Sequence, residues 1–191
     1  AVGGNPTAGI EGIMQALRAA GVEDNTIVVY FADNGYLWGE HRMDKKNKPY
    51  DEAIRAPMVV RYPKLAPLRR EETQMALNID FCPTFSELSG ATPPIVQDGT
   101  SLVRLVDGTA PTWRTDFLTE GWPQGRVWAT VREEQWKYTE LPVDETNPAT
   151  TFEYELYDLL ADPYELDNVA NDPGNAQRLV DMGLRLRQLR P

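Results

Sequence analysis

Asp33-Asn34-Gly35 closes an apolar run, and Arg42, Lys45, Lys46 and Lys48 follow within the next fifteen positions. A carboxylate beside an amide offers two hard oxygen ligands, which suit Ca²⁺ or Mg²⁺ rather than a soft metal. The same tripeptide also reads as a plain turn, with Gly35 expected to let the chain swing sharply away. A lysine aimed at a transferring sulfuryl or phosphoryl group stabilises charge on oxygen in the transition state. The basic cluster equally fits a solvated loop, and Asp44 offsets part of its charge. His41, the single histidine, can donate a proton, bind an anion or serve the loop structurally. Glu40, Asp51 and Glu52 lie in the same stretch. They are expected to be structural, pairing with the basic residues, holding Arg55 or facing the first turn of a short helix.

The elements around this stretch set its geometry. Thr7 to Ala20 has Ile10, Ile13, Met14 and Leu17 at helical spacing, with Thr7 as the expected cap and Gly21 as the stop. "TIVVYFA", Thr26 to Ala32, is β-branched and aromatic without polar alternation, the pattern of a strand covered on both faces as in a parallel sheet. Ligands of α/β sheets bind beyond the carboxyl ends of strands, which is where Asp33 and Asn34 fall. "PYDEAIR" reads as a helical turn and "PMVVRYP" as a second short strand. Asp80 to Ser89 reads as a helix capped by Asp80, with Phe81, Phe85 and Leu88 inward and Gly90 closing it. From about Ala91 the character changes. "TDFLTEG", "RVWATVREE" and "QWKYTEL" look like antiparallel strands, with Trp and Tyr alternating against charge. A further short strand, an Asp-Pro turn and an amphipathic helix over 174–190 complete the chain. The expected class is α/β: a partial mixed sheet with helices over 1–95, then a small antiparallel sheet with a carboxy-terminal helix over 96–191.

The totals restrict the function classes. The chain has 191 residues, 41% hydrophobic and 25% charged, an ordinary globular mixture. Its net charge of −10 argues against nucleic-acid partners, whose binding rests on phosphate neutralisation. No apolar run approaches the roughly 20 residues of a membrane span. Cys82 is the only cysteine, so neither an intrachain disulfide nor a cysteine-based zinc site is available. No serine sits in a nucleophile elbow.

Taken in order, the buried strand, Asp-Asn-Gly, Gly39-Glu40-His41, a lysine four residues before Tyr50, and "PYDEAIRAPMVVRYP" closely resemble the sulfatase family, whose fold is alkaline-phosphatase-like. Tyr50-Asp51-Glu52 stands where Tyr-Glu-Glu is more usual. "NIDFCPTFSELSGATPP", "VWATVREEQWKYTE" and "ELYDLLADPYELDNVAND" continue the likeness, which covers nearly the whole chain. The resemblance implies that Asp33 and Asn34 are metal ligands, normally to Ca²⁺. It also implies that Lys46 contacts the sulfate, with Lys45 and Lys48 as bystanders and His41 near the site.

The family also implies a formylglycine, made from the Cys or Ser of a Cys/Ser-x-Pro-x-Arg motif, and an Asp-Asp pair that completes the metal site. Neither is present in these 191 residues. Cys82 is followed by Pro83-Thr84-Phe85, with proline one place too early and no arginine, and is expected to be a small apolar residue on a core helix. The expectation is therefore a carboxy-terminal part of a sulfatase, inactive alone, partnered by an amino-terminal part that brings the nucleophile and acting on a sulfate ester, small molecule or glycan. Glu120, Trp122 and Trp128 are candidates for the substrate rim or for core packing. The alternatives are a non-catalytic sulfatase-like binding module or subunit, and a phosphate or phosphonate ester hydrolase of the same superfamily.

Overall fold

The computed structural model describes residues 6–110, 112–121, 128–143 and 151–190. The fold divides into two units, Ala1–Phe31 with Pro57–Thr112, and Ala32–Ala56 with Trp113–Pro191.

In the first unit, α1 runs Pro6–Ala19. Thr7 thus lies inside the helix rather than capping it. Gly21 ends it with a φ of 67°, and Val22 N–H returns to the Leu17 carbonyl at 3.1 Å, the bond of a Schellman stop. Of its four apolar positions only Met14 is buried, while Ile10 and Ile13 are exposed. β1 (Val28–Phe31) pairs with β4 (Met58–Arg61). The pairing is antiparallel, Val28 opposite Arg61 and Phe31 opposite Met58. The parallel neighbour expected from the unbroken apolar run is thus not the one found. Tyr30, Phe31 and Val59 are exposed, so the run records a demand for cover that this unit does not itself meet.

α3 (Phe81–Ser89) ends at Gly90 in the left-handed region, as expected. Its start differs from expectation. The fully buried Asp80 carboxylate does not cap α3; its two oxygens accept the N–H groups of Leu77 (2.7 Å) and Thr100 (2.8 Å), tying together segments twenty residues apart. Phe81 packs on Phe31 at 4.7 Å, but Phe85 is exposed. Cys82 is also exposed rather than in a core, and accepts from Gln97 Nε2. α4 (Val103–Val106) buries Leu105.

The second unit has β2 (Leu37–Trp38), β3 (Asp44–Lys45) and α2 (Asp51–Ile54). It also has an antiparallel sheet of β5 (Asp116–Gly121), β6 (Trp128–Glu133), β7 (Trp136–Pro142) and β8 (Phe152–Asp158) in that spatial order. α5 (Ala176–Leu189) lies on this sheet. Ala129, Val131, Tyr138 and Leu156 from the strands meet Met182 and Leu186 of α5 in one core. Val180 and Leu184, though apolar, face away. The strands follow the sequence expectation because their alternation serves a sheet with one helix-covered face. On the other face Thr130 and Thr139, directly opposite across β6 and β7, share a buried hydroxyl contact at 2.9 Å. Tyr50 and Tyr157 form a second core with Leu159.

Candidate functional site

The site is built on residues 33–55 of the second unit. A Cβ at position 35 would overlap the Glu52 carbonyl oxygen and crowd that of Arg55. Gly35 is therefore required by a close backbone approach, and not by the positive φ of a sharp turn. Its N–H donates to the Ala53 carbonyl at 2.9 Å. The same carbonyl, together with Gly35's own, accepts from Asn34 Nδ2 at 3.3 and 2.9 Å. With its amide nitrogen engaged in this way, Asn34 presents Oδ1 on the other side.

Lys46 Nζ sits 3.2 Å from that Oδ1 and 2.7 Å from Asp33 Oδ2. Two hard oxygens thus converge on one cationic centre. The hydrogen bond from Lys46 holds the Asp33 carboxyl below the usual carboxylate range. The cluster is open to solvent, the side chains of Lys46 and Asp33 being 42% and 75% exposed.

Leu37, fully buried, pins the hairpin of β2 and β3, with Leu37 opposite Lys45 and Trp38 opposite Asp44. The backbone of this loop is unusual. His41, Arg42, Lys45 and Asn47 all have φ between 54° and 74°, and Gly39 has φ 131°. Such positions cost on the order of 1–3 kcal/mol each for ordinary residues and gather at functional loops. The loop is held from outside itself: Trp128 Nε1 donates to the Asn47 carbonyl at 3.2 Å, and the His41 ring stacks on Tyr50 at 3.8 Å.

α2 follows, and its first turn meets a buried charge group. Lys137 Nζ lies 2.5 Å from Glu165 Oε1 and 3.0 Å from Asp51 Oδ1, with Lys137 and Glu165 fully buried. Glu165 Oε2 accepts the Asp51 backbone N–H at 2.6 Å. Arg132 approaches Asp51 at 3.5 Å. Burial works against ionisation of Asp51, but Lys137 and Arg132 outweigh it and lower the carboxyl's pKa. Burial also lifts the carboxyl of Glu155, which accepts from Tyr50 OH at 3.2 Å.

The structure brings Asp33, Asn34 and Lys46 together. His41 is nine-tenths buried, with Nε2 3.5 Å from Glu52 Oε2, and no hydrogen bond or ion pair among the described residues joins it to these three. No hydrogen bond or ion pair among the described residues joins Arg42, Lys45 or Lys48 to Asp33 or Asn34. Asp51 takes the structural role expected of it. Glu120 pairs with Arg190 at 2.9 Å and Trp128 is buried, while Trp122 lies outside the described residues. Sequence reading did not find Lys137, Glu165 or Glu155. The one hint is a lysine between Trp136 and Tyr138 in a strand.

Ca²⁺ takes six to eight oxygens, and the Asp33 and Asn34 side chains offer two oxygens side by side. Among the described residues no group of three or more His, Cys, Asp or Glu could hold a metal. The pair fits part of a hard-cation shell. Cys82 does not fit a formylglycine, having neither the motif nor a place near this cluster in the sequence.

Comparison with known proteins gives consistent results. The family model described as N-sulphoglucosamine sulphohydrolase, C-terminal, matches residues 39–191. An arylsulfatase of Chlamydomonas reinhardtii is 33% identical over 195 residues, covering 84% of this chain and 29% of the algal protein. A protein solved in complex with its substrate D-glucosamine-2-N,6-O-disulfate superimposes with a TM-score of 0.82 at 28% identity, covering 94% of this chain and 37% of the other. The phosphonate monoester hydrolase of Agrobacterium radiobacter gives a TM-score of 0.84 at 27% identity, covering 94% and 38%. The chain thus spans about a third of the length of the proteins it matches, and the architecture is that of the carboxy-terminal part of alkaline-phosphatase-like enzymes. Among the described residues no helix is long and apolar enough to cross a membrane.

Proposed function

The chain belongs to the sulfatase family as its carboxy-terminal region, and on that premise we propose that it forms part of a hydrolase that splits a sulfate ester, R–O–SO₃⁻ and water giving R–OH and hydrogen sulfate. Asp33 and Asn34 contribute oxygen ligands to a divalent cation, Ca²⁺ by their donor chemistry, and Lys46 faces the substrate anion. The observation that carries this reading is the convergence of Asp33 Oδ2 and Asn34 Oδ1 on the Lys46 ammonium at 2.7 and 3.2 Å.

Asp33 and Asn34 would hold a divalent cation, which would supply Lewis acidity when bound. The Lys46 ammonium would be displaced from beside these oxygens by such a cation, because two positive charges repel at this spacing. Lys46 then turns to the sulfate, where its charge offsets the negative charge that builds on oxygen in the transition state. Asn34, its amide already engaged by two carbonyls, has only its oxygen to offer a cation. The remaining ligands and the nucleophile come from residues that this chain does not provide, and no step runs through Cys82.

Sulfated amino sugars are the substrate class favoured, a reading supported by the description of the matching family and by the sulfated glucosamine bound to the solved relative. The likeness to a phosphonate monoester hydrolase favours a second reading, ester cleavage at phosphorus. The test is an assay of the enzyme containing this region against N- and O-sulfated glucosamine, an aryl sulfate and a phosphonate monoester, with calorimetric Ca²⁺ titration of the wild type and Asp33→Ala. Sulfate release that needs Ca²⁺ and weakened binding in the variant are expected. Turnover of the phosphonate alone selects the second reading. No turnover of any ester leaves a binding module, and equal Ca²⁺ affinity in both proteins removes Asp33 as a ligand.

A further inference from the structure

Asn34 is the one candidate ligand whose orientation depends on another element. Its Nδ2 donates to the Ala53 carbonyl in α2, and the Gly35 N–H donates there too. Where α2 sits therefore decides where Asn34 Oδ1 points. α2 is a single turn of four residues, too short to be stable by itself, so its place must be imposed from outside. The imposing group is Glu165. One of its carboxylate oxygens takes the N–H of Asp51, the first residue of α2, and the other meets Lys137, which also holds the Asp51 side chain. Glu165 has a φ of 54°, the only non-glycine positive φ among the described residues outside the loop at 41–47. A buried carboxylate on a strained backbone persists only where its surroundings over-determine it. Here the determinant is Lys137 on β7, itself locked in the sheet.

We propose that Glu165 is a positioning residue for Asn34, acting through α2; the inference rests on the reading of Asn34 as a cation ligand. Glu165 touches neither substrate nor cation. It fixes the amino end of α2, α2 fixes the Ala53 carbonyl, and that carbonyl leaves the Asn34 oxygen facing outward beside Asp33. Outer partners of metal ligands commonly govern affinity in this way.

The test uses the enzyme containing this region, labelled with ¹⁵N and with ¹³C-methyl methionine, as wild type and Glu165→Gln. Glutamine keeps the shape and an acceptor for Asp51 N–H but loses the charge that Lys137 balances. The expected result is that the Asn34 side-chain amide signals move and exchange faster. Calcium affinity should fall about tenfold, the lower end of the effect of such partners. The Met182 methyl signal, in the core under α5, should stay in place. A general loss of structure would move Met182 as well. An unmoved Asn34 amide beside a shifted Asp51 N–H would overturn the proposal.

Should Glu165→Gln fail to fold, native-state hydrogen exchange of the wild type decides. Asp51 and Gly35 N–H opening in one step, with the same denaturant dependence, supports the coupling, and independent opening overturns it. Calcium affinity unchanged by Asn34→Ala would sink the ligand reading alone, while the amide signals still decide whether Glu165 orients Asn34.

Discussion

Two lysines in one unit do the same thing in opposite surroundings. Lys137 bridges Glu165 and Asp51, and Lys46 bridges Asp33 and Asn34. The first group is sealed in the fold, the second open to water. A buried charge that loses its partner is left without solvent to replace it, so the Lys137 group can only be kept whole. An exposed pair is worth little, because water and ions replace either member at small cost. That difference divides the labour: the closed group places α2, and the open one is free to exchange its cation for another. The strained loop at 41–47 lies in the open region, and the well-packed sheet under α5 in the closed one.

Lys137→Met should test the closed side most severely. It strands the Glu165 carboxylate, leaves Asp51 to Arg132 alone, and is expected to lower unfolding free energy by about 3–5 kcal/mol, read from denaturant melts; a loss near zero would put the group on a par with its exposed counterpart. Lys46→Ala should do the reverse. Its melting temperature should stay at the wild-type value, while turnover of a sulfate ester by the assembled enzyme falls about a hundredfold or more. Lost stability with intact turnover would invert the contrast between the two lysines.

Gly35→Ala joins the two sides, since the added methyl strikes the α2 backbone. A destabilisation of about 1–3 kcal/mol is expected from overpacking, accompanied by weaker Ca²⁺ binding in calorimetry. Unaltered binding would mean that α2 does not control the ligands.

The smallest effect concerns Glu155. Burial raises its carboxyl above the ordinary Glu value of 4.5, so the folded chain holds this proton more tightly than the unfolded one. Its contribution to stability is complete below 4.5 and is lost as pH rises through the folded value. Asp51 has the opposite sign, its contribution present above the ordinary Asp value of 3.8 and lost in stronger acid as pH falls through its lowered value. Burial raises the Glu165 carboxyl as well, so stability followed against pH should show a decline toward neutrality that Glu155→Gln lessens. A decline of the same slope in the variant would assign it to another group.

How much of this was legible in the sequence follows from how far each contact reaches. Asp33, Asn34 and Lys46 lie within fourteen positions, and their types and order carried both the chemistry and the likeness. The antiparallel strands and α5 were legible because each shows one covered face in its own periodicity. β1 misled because an unbroken apolar run states that both faces want cover without stating which strand pairs with it. Asp80 looked like a helix cap because local spacing hides a bond to Thr100. The charge group was out of reach for the same reason: Lys137 meets Asp51 across 86 positions, and Glu165 meets it across 114. A lysine between two aromatics in a strand hints at burial without naming its partners, and the composition of residues 41–47 gives no sign that ordinary side chains adopt glycine-like angles.

The bond from Gly35 N–H to the Ala53 carbonyl also bears on how long the protein lasts. An asparagine followed by glycine ages chemically when the glycine nitrogen attacks the side-chain carbonyl, closing a succinimide that opens to aspartate or isoaspartate. In the folded chain that nitrogen is committed to Ala53, and the Asn34 side chain is pinned by its own two bonds. The residue best placed to serve as a neutral ligand is thus shielded from turning into a charged or kinked one. Chains that spend time unfolded should accumulate the mass shift of an amide turned acid at Asn34 long before folded ones do.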